Sequence, residues 1–169
     1  MRKSLFAVMT ACVSLASLSG LASAETGSPQ VFAVYAVGAP GTPRTVVAAG
    51  AINGVGTVNI GESQPGPGGS FIQQTTWVFP EGSLFVTLTY TSTTINDAQS
   101  CSSASYLTGT WRITGGTGRY SGASGSGTIS GPNSAYFARD AEGCTSTPYL
   151  VATYFVYQGT VALAQATAA

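Results

Sequence analysis

The sequence predicts an all-β protein whose strands close into an antiparallel barrel, in a single domain over residues 25–169. Three observations carry this. Apolar residues recur with period two: Leu84, Val86, Leu88 and Tyr90 alternate with Phe85, Thr87, Thr89 and Thr91, as on a strand with one buried face. Turn-forming pairs and clusters such as Asn53-Gly54 and Pro80-Glu81-Gly82 separate about eight short runs, the spacing of a sandwich or barrel. Finally, no lysine follows Lys3, so the strands lack the charges with which open sheets blunt their edges. That lack favours closure.

Residues 1–24 stand apart. Arg2 and Lys3 precede an apolar run from Leu5 to Leu18, and Ala22-Ser23-Ala24 is an A-x-A cleavage signal. The run is shorter than the roughly 20 residues that span a bilayer. It reads as a secretory signal peptide cut after Ala24, with an uncleaved anchor as the rival. Cys12 lies inside the run and not after the cut, which argues against a lipid anchor. The expected location is secreted or periplasmic, with no membrane segment after cleavage.

The strands follow in order. Val31 to Val37 is a short apolar run, and Thr45 to Ile60 folds back on itself at Asn53-Gly54, read as a two-residue hairpin. Glu62 to Ser70 is a loop by composition. Phe71 to Thr94 makes two strands broken at Pro80-Glu81-Gly82. Asn96 to Ser105 reads as a loop. Tyr106 to Gly115 alternates again, with Leu107, Trp111 and Ile113 on one side and Thr108, Thr110 and Arg112 on the other. Tyr149 to Leu163 is apolar on both faces, so its second face calls for a cover that another copy of the chain could supply. Helical periodicity is absent from all of this.

Composition narrows the partners. Past the leader there are four arginines (Arg44, Arg112, Arg119, Arg139), six acids and no histidine. So few cations cannot neutralise a run of phosphates, which excludes nucleic acid as an expected partner. Without histidine, no Ser-His-Asp or Cys-His set can be assembled and the commonest zinc ligand is missing. No cofactor or metal is expected. Cys101 and Cys144, exported to an oxidising compartment, read as a disulfide, because they lack the C-x-x-C spacing of a redox or metal pair. Closing that loop stabilises by roughly 4 kcal/mol at most on the chain-entropy model.

The segment TGGTGRYSGASGSGTISG, residues 114–131, poses the main question. A dinucleotide fingerprint needs G-x-G-x-x-G between strand and helix, and Gly116, Gly118 and Gly122 are spaced one residue too wide. A P-loop needs a lysine that is not there. Arg119, Tyr120 and Ile129 interrupt the small residues, which argues against a linker. The remaining reading is a tight turn over Gly115, Gly116, Thr117 and Gly118, then a strand on which Gly122, Gly125 and Gly127 allow curvature or close approach of a ring or backbone.

The same run, ITGGTGRYSGASGSGTISG, resembles the glycine signature of the allene oxide cyclase barrel-like and dirigent-like proteins. FPEGSLFVT and YQGTVAL resemble exported bacterial members of that group. The resemblance covers Val31 to Leu163. It implies an eight-stranded antiparallel barrel, trimeric in the plant members, and it does not imply their activity. The plant cyclase steers ring closure of a fatty epoxide with a glutamate, and no position here matches it. Glu25, Glu62, Glu81, Asp97, Asp140 and Glu142 all fall at the terminus or in turns. Asp140 and Glu142, beside Arg139, read as solvated turn residues rather than a cation site.

No catalytic residue is therefore assigned. Tyr90, Tyr106, Tyr136, Tyr154 and Tyr157, with Trp77 and Trp111, are core or subunit contact on one reading and cavity lining on the other. Leu88, Tyr90, Trp111 and Phe155 are the candidate lining. Arg112 shares parity with threonines and is expected to face outward. Two functions follow: an exported barrel that binds a small hydrophobic ligand or a protein partner without turnover, or a cyclase or isomerase that confines an apolar substrate. An inward carboxylate or Arg112 would favour the second. A lumen filled by Leu88, Tyr90 and Trp111 would weaken both small-molecule ideas.

Overall fold

The computed structural model describes residues 27–164, so the leader and its cleavage site lie outside the described residues. Eight strands form one closed antiparallel barrel in which each strand pairs with the next and β8 returns to β1. They are β1 (Ser28–Gly38), β2 (Arg44–Gly50), β3 (Gly54–Pro65), β4 (Phe71–Phe79), β5 (Gly82–Asp97), β6 (Ser102–Gly116), β7 (Ser124–Asp140) and β8 (Gly143–Ala162). Two single 3₁₀ turns, Pro67–Gly69 and Gly118–Tyr120, interrupt the connections.

Period-two patterning does what it predicts. Leu84, Val86 and Leu88 point inward and are buried, while Phe85 on the other face is exposed. The core is a stack of rings with aliphatic side chains between them. Phe32 meets Trp77 edge-on at 4.7 Å between centroids, Trp77 meets Tyr157 at 4.9 Å, and Phe32 meets Trp111 at 5.7 Å. Edge-to-face contacts of this kind add stability beyond the area they bury.

The glycine run serves this core. Trp111, Gly127 and Gly159 stand side by side on β6, β7 and β8. The Trp111 indole crosses β7 over Gly127, and its Nε1 donates to the Gln158 carbonyl at 3.3 Å. A Cβ on Gly159 would sit 2.8 Å from the Trp111 ring. Glycine here makes room for a ring. A register slip between Phe85 and Val86 also leaves Thr114 unpaired, so the run carries a bulge as well. The expected turn over Gly115 to Gly118 begins later than predicted. Gly115 and Gly116 still belong to β6, and the chain reverses through the 3₁₀ turn at Gly118, whose φ is 57°. Gly122 (φ 73°) completes that reversal, and Gly125 already lies in β7.

Three other expectations need correction. The Asn53-Gly54 hairpin is not a two-residue turn. Its last pair is Ala48 with Gly54, and the Asn53 side chain bridges both the N–H and the carbonyl of Gly50. The wider loop turns Ile52 inward, where the buried Gln30 side chain accepts from the Ile52 N–H at 2.8 Å and donates to its carbonyl at 3.1 Å. Segments read as loops also prove to be strand: β3 runs to Pro65, β5 to Asp97, and β6 starts at Ser102. Polar composition misleads there because both faces of these extensions meet solvent. Glu62 consequently lies within β3 and not in a turn, but it is exposed.

The two ends of the barrel differ. Ile52, Phe79, Tyr120 and Ala123 are buried at one end and plug it, and both ends of the described chain leave there, with Ser28 paired to Val161. The opposite end is a mouth with an uneven wall. Phe71 at the start of β4 pairs with Tyr90, yet β5 continues to Asp97. Gly38 at the end of β1 pairs with Val151, yet β8 begins at Gly143. The two hairpins β5–β6 and β7–β8 thus rise beyond the rest of the barrel. Cys101 and Cys144 are joined by a disulfide across their tips, as expected from the sequence. The Arg139 guanidinium reinforces the tie, donating to the carbonyls of Ala98 at 2.7 Å and Gln99 at 2.9 Å.

Candidate functional site

The mouth holds the site. Beneath it the ring stack packs the lumen, with Trp77 and Trp111 buried in one contiguous core cluster. Above the stack a cavity of about 490 Å³ remains. Three of the four lining residues expected from sequence, Leu88, Tyr90 and Phe155, line it; Trp111 does not, and belongs to the core below. Phe71, Leu107 and Ile129 complete the apolar part. Of the other aromatic residues considered, Tyr157 lines the cavity, whereas Tyr106, Tyr136 and Tyr154 are exposed elsewhere.

Two polar groups define the site's chemistry. Arg44 opens β2 and shares inward parity with the buried Val46 and Ala48. Its guanidinium carbon lies 5.8 Å from the centre of the Phe155 ring, within cation–π range. Arg44 and Asn133 also line a neighbouring cavity of about 570 Å³, formed with Pro40 to Pro43, Val58 and Thr153. Burial draws the Arg44 pKa below its ordinary value, with Tyr157 and Tyr90 opposing. A guanidinium still keeps its charge at neutral pH. Among the described residues the one salt bridge joins Arg119 to Glu81, so Arg44 has no carboxylate partner there. Neither cavity lining includes an aspartate or glutamate.

Tyr157 is the second group. It is 3% exposed and lies on the cavity lining. Burial pushes this phenol well above the ordinary tyrosine value, against the pull of Arg44. It stays neutral at any physiological pH and keeps a proton to donate. Nearby, the Tyr90 hydroxyl is already paired with Ser63 at 2.8 Å, and Thr153 donates to the Asn133 side chain at 2.7 Å.

Arg44 is the residue that sequence reading missed. The predicted strand began at Thr45, one residue late, and left Arg44 outside the alternation that places it inward. Arg112 is exposed, as its parity requires. Asp140 caps its own turn, accepting from the N–H groups of Glu142 and Gly143. No metal-ligating cluster is found among the described residues.

No protein-family model, curated protein or solved structure matches the chain.

Proposed function

We propose that the protein is an exported barrel that binds a small, mainly apolar molecule in its mouth, without turnover. The cavity of about 490 Å³ above a packed aromatic floor carries this reading. Its size falls in the range of small-molecule sites, which pair apolar walls with a few fixed polar groups. The signal-like leader and the cystine support export. The resemblance of the glycine run to allene oxide cyclase barrel-like proteins supports a ligand-holding barrel. Among the described residues no carboxylate lines the cavity and Arg112 lies outside it, so the residues favour binding over a cyclase or isomerase reaction.

Native mass spectrometry of the mature protein from its own host tests this. One small organic adduct per barrel, released by an organic solvent, is the expected result. A ligand-free barrel that also fails to take up an apolar fluorescent dye would sink the proposal.

A second copy of the chain is the proposed partner for the outer wall. Tyr35, Val37, Val47 and Tyr154 are exposed on β1, β2 and β8, which are neighbours in the barrel, and the resemblance implies a trimer. The same spectrum reports subunit number, and a lone monomer at micromolar concentration overturns this part.

A further inference from the structure

We propose that the mouth cavity takes a compact apolar carboxylate, best with an aromatic body, whose head group pairs with Arg44 and Tyr157. This rests on the binding reading above and adds the charge and shape of the ligand.

Two independent features of the cavity point to an anion. Arg44 is a partly buried cation with no carboxylate partner among the described residues, set against the Phe155 ring. Withdrawing a cation from water without a counter-ion is costly, and an arriving anion offsets that cost. The planar guanidinium fork matches a carboxylate in two parallel hydrogen bonds. The second feature is the Tyr157 phenol, the neutral polar tip of a side chain 3% exposed, on the same cavity lining. Beside a cation, a phenol that keeps its proton can donate to an arriving acceptor. A cationic head group would be repelled by Arg44. A doubly charged one would bring more negative charge than the single arginine can match.

The body follows from the walls. Phe71, Tyr90, Phe155 and Tyr157 present rings, with Leu88 and Ile129 between them. Rings meet rings edge-on or offset at modest entropic cost, so a rigid aryl group fits better than a flexible chain. The floor of packed rings stops a long chain from threading the barrel.

Calorimetric titration of the mature, disulfide-bonded protein with 2-naphthoate and 2-naphthamide tests the inference. The two share size and shape and differ in charge. Naphthoate is expected to bind at least about tenfold tighter, the scale of a charged hydrogen-bonded pair. Arg44→Gln is expected to abolish that preference, weakening naphthoate at least about fivefold more than naphthamide. Equal affinities in the unaltered protein, or a preference that survives Arg44→Gln, overturn the carboxylate and leave the binding reading standing. Binding of neither overturns both. Should Arg44→Gln fail to fold, Arg44→Lys decides: it keeps a cation and loses the fork. A larger loss for naphthoate than for naphthamide supports the inference, and unchanged naphthoate binding overturns it.

Discussion

The Trp111 indole donates to the Gln158 carbonyl across an intervening strand, at 3.3 Å, because Gly127 and Gly159 leave its path open. A side chain at either glycine must displace the ring or the sheet. Gly159→Val is expected to cost about 2–3 kcal/mol or more, as overpacking does. Trp111→Ala is expected to cost about 3–5 kcal/mol through the cavity it leaves. Urea unfolding measures both, and a Gly159→Val midpoint equal to the parent's would refute this role for glycine.

Gln30 is 2% exposed and makes both hydrogen bonds to the Ile52 backbone that hold the plug in place. Gln30→Leu keeps the volume but leaves the Ile52 N–H and carbonyl without those partners. The expected loss is about 1–3 kcal/mol, the penalty for buried unpaired groups. Amide exchange should quicken at Ile52 while the β5–β8 amides keep their protection. Uniform quickening would mean the plug is not a separate unit.

The disulfide between Cys101 and Cys144 joins hairpin tips that lie beyond the body of the barrel. Reduction frees a loop with a separation of 43 residues, for which the chain-entropy model allows roughly 4 kcal/mol. The melting temperature is expected to fall on adding a thiol reductant, with the far-ultraviolet β signal retained at room temperature. A melt indifferent to reductant would show that the Arg139 contacts to Ala98 and Gln99 suffice.

Alkaline pH should weaken the fold through Tyr157. Its folded pKa is raised above the ordinary value of 10.0, mainly by burial. Below that value both folded and unfolded chains hold the proton, and the stabilisation is complete. As pH climbs past it, the unfolded phenol ionises while the folded one cannot, so stability falls with rising pH. Tyr120 is raised in the same direction, chiefly by desolvation, and adds to the trend. Tyr157→Phe is therefore expected to flatten the dependence of the urea midpoint on pH above about 10. An unaltered slope in that variant would contradict the buried setting of the phenol.

Much of the barrel was legible because burial writes itself as alternation. Leu84, Val86 and Leu88 mark the inner face of β5, and Arg112 the outer face of β6, with no need of coordinates. Beyond the body of the barrel the rule loses its grip. Past Thr94 in β5 and before Tyr106 in β6 the strands continue through backbone pairing, tied at their tips by the disulfide and Arg139, with small and polar residues predominating. Such residues read as loop because nothing apolar needs covering. The site was half legible. Leu88, Tyr90 and Phe155 carry the pattern of inward positions, but Arg44 contradicts it by charge while obeying it by parity. A cation two residues before Val46 and four before Ala48 was the available signal. Trp111 was a reasonable choice for the lining, and only the depth of the ring stack, set by packing across strands distant in sequence, places it in the floor.

Both ends of the described residues leave the barrel side by side at the plugged end, opposite the mouth. Whatever is spliced or tethered to either of them therefore hangs behind the molecule. Fixed to a sensor chip at Gly27 or Ala164, it presents its opening to the flowing solution.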